Sequence, residues 1–124
     1  MLIESRPATD PELATLLVAQ QCEAGDGAYL VGVVQGRAVA CGGWRALGRG
    51  VAELQHLYVR PAFRGRGLAG QLIVALEEEA LAADRPLLRL VAGTDPATVA
   101  LCRSAGYDEV PGRFFEKSLL LTSR

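Results

Sequence analysis

The residues best placed to do chemistry lie in one turn, Arg64-Gly65-Arg66-Gly67-Leu68-Ala69. An apolar run, Ala52–Val59, precedes it and reads as a strand. A helical apolar pattern follows it. Strand, glycine turn and helix together collect free backbone N–H groups and a positive helix end at one point. Such a point suits a phosphate or pyrophosphate. Gly65 and Gly67 let the backbone come close to an anion, and an arginine can add a charge-assisted contact. A lone G-x-G also serves as an ordinary tight turn. No G-K-[ST] follows, so the turn is not a P-loop. A dinucleotide fingerprint would open an early βαβ unit, whereas three antiparallel strands come first here. RNA-binding RGG segments are longer and disordered.

The elements that must position this turn form one domain, residues 1–124, of 124 residues in all. Half the chain is hydrophobic, at 50%, which supports a packed core. Lys plus Arg number 13 and Asp plus Glu 14, a net charge of −1. That balance argues against a nucleic-acid-binding role, which rests on cationic surplus. Arginine supplies nearly all the positive charge, since Lys117 is the only lysine. Cys22, Cys41 and Cys102 fit no metal-ligand spacing, and His56 is the only histidine, so no metal is expected. Met1–Arg6 lacks a cationic start followed by an apolar run, and no stretch approaches the ~20 apolar residues of a membrane span. A cytoplasmic protein with reduced thiols is expected.

Along the chain, Leu2–Ser5 reads as a strand. Asp10-Pro11-Glu12 starts a helix to about Gln21, with Asp10 as N-cap and Leu13, Leu16 and Leu17 on its apolar face. Ala28–Val34, Arg37–Trp44 and Ala52–Val59 form a meander, with turns at Gln35-Gly36 and Ala46–Gly50. A helix from Gly67 or Leu68 to about Ala83 buries Leu68, Leu72, Ile73, Leu76 and Ala80. Glu77–Glu79 are assigned to its wet side. Leu87–Val91 is a strand, Asp95-Pro96 starts a third helix ending at Gly106, and Tyr107–Val110 and Phe114–Leu121 close the chain. The period of two puts His56 on the opposite face of its strand from Glu53. The order is β-α-β-β-β-α-β-α-β-β: an α/β (α+β) fold with a mixed central sheet of about six to seven strands and three helices.

On these residues the chain resembles the GNAT superfamily of acetyl-CoA-dependent N-acyltransferases. Arg64-x-x-Gly67-x-Ala69 matches the signature [QR]-x-x-G-x-[GA]. A-E-L-Q-H-L-Y-V-R-P is similar to the family's fourth strand. Asp95–Tyr107 resembles its N-x-x-A-x-x-L-Y-x-x-x-G-[FY] segment, and Phe114-Phe115-Glu116-Lys117 a closing-strand pattern. The match runs from about Val51 to Leu120.

The resemblance implies direct acetyl transfer from acetyl-CoA to a primary amine of a small molecule or peptide. It places the pyrophosphate on Arg64, Gly65, Arg66, Gly67, Leu68 and Ala69. Leu57, Tyr58 and Val59 would offer backbone groups to pantetheine, with an N–H near Val59 polarising the thioester carbonyl. Glu53 aligns with a general base of some members; the other reading is an edge-strand carboxylate that faces solvent or pairs with an arginine. Cys102 stands where a tyrosine general acid is usual, its other reading being a small buried thiol that packs a helix, and Asp95 stands where asparagine is usual, its other reading being the N-cap of the helix after Pro96. Only one helix lies between the first two strands, so an open acceptor pocket is expected, completed by a second subunit in a homodimer. The rival reading is a CoA-binding module of the same fold without transferase activity.

Overall fold

A computed structural model describes residues 1–91, 96–111 and 114–120. The first strand, β1 (Leu2–Arg6), hands directly to α1 (Pro11–Ala19). Asp10 caps that helix by accepting the Leu13 N–H at 2.9 Å. Arg6 reaches Asp10 and Glu12 at 3.0 Å each. The cap bond to Leu13, helped by Arg6, holds the Asp10 carboxyl below its ordinary value. The helix stops at Ala19, two residues short of the expected end, because Gln21 turns left-handed at φ 59.

The meander consists of β2 (Ala28–Val34), β3 (Arg37–Leu47) and β4 (Val51–Val59). Strand β3 runs past Trp44, since Arg45, Ala46 and Leu47 pair with Glu53, Ala52 and Val51. The connection is thereby reduced to Gly48-Arg49-Gly50, whose glycines take φ of 52 and 69. A 3₁₀ turn, Pro61–Phe63, then leads to α2 (Leu68–Ala82). Strand β5 (Leu87–Val91) lies parallel to β4. The chain continues through α3 (Pro96–Ser104), β6 (Asp108–Val110) and β7 (Phe114–Ser118). The seven strands form one mixed sheet in the order β1-β2-β3-β4-β5-β7-β6. Its edges are β1 and the three-residue β6.

The core has two halves. On one side α2 packs Leu68, Leu72, Ile73, Leu76 and Ala80 against Ala52, Leu54, Val59, Leu88 and Leu90, joined by Cys102 of α3. On the other side α1 packs Leu13, Leu16 and Leu17 against Tyr29, Val31, Val33 and Cys41. No helix among the described residues is long and apolar enough to cross a membrane.

Glu77 corrects the expected wet face of α2. It is buried, because it follows Ile73 by four residues and precedes Ala80 by three, which puts it on the buried stripe. The Tyr107 hydroxyl donates to its carboxylate at 2.8 Å, and Lys117 lies 3.2 Å away. Glu79 accepts the Trp44 indole N–H at 3.1 Å.

Replacing Asp10 by Ala should lower stability by about 1 kcal/mol at neutral pH, the usual worth of an N-cap. Folding lowers the Asp10 pKa, so its contribution is present above the ordinary value of 3.8 and is lost as pH falls through the folded value. Urea titrations should therefore show the gap between wild type and variant closing in acid. Tyr107→Phe removes the donor to buried Glu77 and should cost about 1–2 kcal/mol in the same assay.

Candidate functional site

The site is made by an irregularity in β4. Gly43 pairs with Gln55, but Cys41 pairs with Tyr58, so β4 carries one extra residue there. His56 sits in this bulge with φ 56, a conformation histidine adopts more readily than most residues. The bulge changes the phase of the strand. Ala52 and Leu54 face the α2 side, and beyond the bulge Leu57 and Val59 do. Glu53 pairs with Arg45, while His56 lies against Tyr29, with ring centroids 6.1 Å apart, and against Cys22. Glu53 and His56 therefore share the α1 face, contrary to the simple alternation.

The bulge also ends the parallel pairing. β4 and β5 are in register from Val51↔Leu87 to Leu54↔Leu90 and part beyond that point. The gap is a cleft of about 750 Å³. One wall is Leu54 to Val59 of β4, and the opposite wall is Leu90 and Val91 of β5 with Ala97, Thr98 and Leu101 of α3. Gln20 and Cys22 close the α1 end, and Arg64, Gly65, Gly67, Leu68, Ala69 and Gly70 lie at the α2 end.

The glycine turn has the geometry of an anion cradle. Gly65 and Gly67 take φ of 79 and 76, which disfavours a side chain at either place. A Cβ there would meet nothing within 4 Å, so the surrounding space is open to a ligand. Gly67 is the N-cap of α2 and offers no side chain. The first helical bond runs from Gln71 N–H to Gly67 O at 3.2 Å, which leaves the amides of Leu68, Ala69 and Gly70 ahead of it. The arginines brace the turn. Arg64 Nε donates to Val59 O at 2.8 Å and its guanidinium lies 5.6 Å from the Tyr58 ring centroid. Arg66 stacks on Phe63 at 5.1 Å and does not line the cleft.

Two expected catalytic groups are placed elsewhere. Glu53 does not line the cleft: Arg45 holds its carboxylate at 2.8 Å. It belongs to a row of alternating charge, Arg45, Glu53, Arg89 and Glu116, in register across β3, β4, β5 and β7. The thiol of Cys102 is fully buried in the core, and burial raises its pKa, while its neighbour Leu101 faces the cleft. Ala97, Thr98 and Leu101 form the face of α3 toward the cleft, and Cys102 falls on the face toward the core. Leu57, Tyr58, Val59, Gly65, Gly67, Leu68 and Ala69 do line it. Asp95 lies outside the described residues.

The pair that plain strand alternation hides is Cys22 and His56. Cys22 Sγ lies 3.4 Å from His56 Nδ1. Burial lowers the imidazole pKa below its ordinary value, so His56 is neutral near pH 7.

The sequence profile of the acetyltransferase (GNAT) family matches residues 1–107, and the chain belongs to that family. It is an acyltransferase with the acyl-CoA N-acyltransferase fold. No curated protein matches it closely enough to count as a relative. Among solved structures, it is similar to a protein from Klebsiella pneumoniae assigned to the acyl-CoA N-acyltransferases. That pair is 28% identical over 96% of this chain and 97% of the other, with a TM-score of 0.84. A ribosomal-protein-alanine N-acetyltransferase from Brucella melitensis shares the fold at 23% identity, covering 96% and 100% of the two chains, with a TM-score of 0.75. An aminoglycoside 6'-N-acetyltransferase in complex with coenzyme A shares it at 15% identity, covering 100% of each, with a TM-score of 0.79.

The three thiols should differ in reactivity. Cys41 is fully buried and pushed up to about 12, chiefly by burial, and Cys102 is fully buried, whereas Cys22 is half-buried at the cleft. A thiol-specific reagent should label Cys22 in the native chain and all three cysteines after unfolding in urea, as read by peptide mass mapping. Bound acetyl-CoA should slow the native labelling.

Proposed function

We propose that the chain transfers an acetyl group from acetyl-CoA directly to a primary amine. One observation carries this reading: β4 and β5 part after Leu54↔Leu90, in line with the left-handed glycine turn at the N-terminus of α2. An extended ligand with an anionic end fits such a cleft. Its pyrophosphate would meet the amides from Gly65 to Ala69, the Arg64 N–H being donated to Pro61 O at 3.3 Å, and its pantetheine arm would lie along the outer edge of Leu57, Tyr58 and Val59. When bound, acetyl-CoA supplies an acyl group already activated as a thioester.

The chain's own residues bind, orient and polarise. The positive end of α2 and the unpaired turn amides hold the phosphates. A β4 N–H released by the bulge is the donor we assign to the thioester oxygen. With Glu53 tied to Arg45 and Cys102 in the core, we assign neither of them a direct proton transfer. Water in the open cleft takes the amine proton. Gln20, Cys22, Gln55 and His56 line the α1 end and carry no full charge at neutral pH. That end suits an amine entering in its neutral, nucleophilic form.

The acceptors named for two proteins of the same fold, a ribosomal-protein alanine and an aminoglycoside, set the amines to try first. The three free cysteines suit a reducing compartment, and the cytoplasm is the setting we propose. A homodimer covering an open sheet edge is the assembly we expect, to be read by light scattering on the same samples.

Calorimetry should detect acetyl-CoA binding to the full chain. CoA release should then be followed with an alanine-terminated peptide, an aminoglycoside and a polyamine. Ala69→Glu puts a carboxylate in the cradle without disturbing a left-handed residue. It should weaken acetyl-CoA at least about 100-fold, since like charges brought together cost several kcal/mol. Unchanged affinity in Ala69→Glu would refute the cradle assignment.

A further inference from the structure

The α1 end of the cleft, where the amine acceptor would enter, already holds a nucleophile of the protein's own. Cys22 follows α1, and its Sγ lies 3.4 Å from His56 Nδ1 and 3.4 Å from Leu17 O. The Leu17 carbonyl already accepts the N–H groups of Gln20 and Cys22, each at 3.0 Å. Two acceptor lone pairs are thus engaged. The thiol proton is therefore better directed at His56 Nδ1, whose neutral ring has a lone pair to receive it. The bulge fixes His56 in this position, and the Tyr29 ring lies nearly parallel to it with centroids 6.1 Å apart. Both members of the pair line the cleft. A thiol, a neutral imidazole and an expected thioester site occupy one cavity.

We propose that Cys22 is a self-acylation site, at which the thiol exchanges with acyl-CoA bound in the cleft and His56 serves as its base. The proposal rests on the reading of the cleft as an acyl-CoA site. In the exchange the Cys22 S–H bond and the thioester C–S bond break. A new Sγ–C bond and the S–H bond of free CoA form. The proton passes from Sγ to His56 Nδ1 and on to the departing sulfur. One thioester replaces another, so no oxidant, reductant or further co-reactant is needed. The same pair explains why a half-buried thiol is kept beside a histidine that enters no other hydrogen bond to a described side chain.

The full chain should be incubated with acetyl-CoA alone and followed by intact mass and peptide mapping, with binding measured in parallel by calorimetry. The expected result is one acetyl group on Cys22, removed by neutral hydroxylamine as a thioester is, and formed faster in the native chain than in the urea-unfolded one. Cys22→Ser should lose the labile adduct. His56→Asn, which tolerates the left-handed backbone, should slow its formation by about 100-fold or more while acetyl-CoA still binds. Circular dichroism of both variants keeps misfolding from passing as loss of chemistry. Binding without a Cys22 adduct would overturn this inference alone. So would an adduct formed no faster in the native chain, or one placed on Cys41 or Cys102. Absence of acetyl-CoA binding would overturn the functional reading itself, and this inference with it.

Discussion

One extra residue in β4 is the constraint on which the site depends. Between Gly43 and Cys41 the β3 ladder advances two residues, while β4 advances three. The parallel ladder to β5 ends at Leu54↔Leu90, immediately before this insertion. With it, the strand turns away and its outer edge is released from pairing. The divergence is held at both ends. At the closed end Arg85 donates to Gly48 O at 3.0 Å and to Val51 O at 2.8 Å, and Leu87 N–H reaches Gly50 O at 3.1 Å. At the open end Arg60 N–H still bonds Val39 O at 2.9 Å. β4 thus stays joined to β3 along its length and leaves β5 only where a ligand can replace it.

The glycine turn depends on the same strand end. Arg64 returns its guanidinium to Val59 O, so the turn and the diverging strand move as one piece. That use of arginine differs from a phosphate clamp: the side chain fixes the backbone, and the backbone presents the donors. The direction of those donors is set by α2, which must not slide. Glu77, Tyr107 and Lys117 anchor its inner face, Lys117 also donating to Ala105 O at 2.9 Å. Trp44 anchors it to β3 through Glu79. A buried carboxylate held by a phenol and an ammonium is a specific connection, costly to break and hard to satisfy in another register.

The order of elements, the glycine turn and the buried stripes of α1 and α2 were legible because each rests on local rules: capping at Asp10, helical spacing from Leu68 to Ala80, turn glycines. The faces of β4 are not legible from alternation, which assumes an unbroken ladder, and the glycines at the bulge, Gly42 and Gly43, lie on β3 and not in β4. A trace was present. Apolar residues occupy even positions at Ala52 and Leu54 and odd positions at Leu57 and Val59, a slip of one residue. The charge of Glu77 points to solvent, although its spacing from Ile73 and Ala80 puts it inside. The catalytic reading of Glu53 and Cys102 rests on a family pattern, which carries positions along the chain. Their surroundings here, Arg45 for the one and a closed core for the other, depend on partners that the motif does not contain.

The placement of charge gives these corrections a common physical sense. The row from Arg45 to Glu116 crosses four strands with alternating sign, and each member has an opposite charge beside it in register. Glu53 completes that row, and moving its carboxylate into the cleft would leave Arg45 without its partner. The lining of the cleft at the α1 end is left to amide, thiol and imidazole side chains, which hydrogen-bond without carrying a full charge. A neutral lining makes burial of an ammonium unfavourable and favours its loss of a proton on entry. It also keeps the thiol of Cys22 protonated until a neighbour can take the proton. The chain thus keeps its fixed charges where they hold structure, on the sheet face, in the turn and along α2, and leaves the α1 end of the cleft to groups without a full charge.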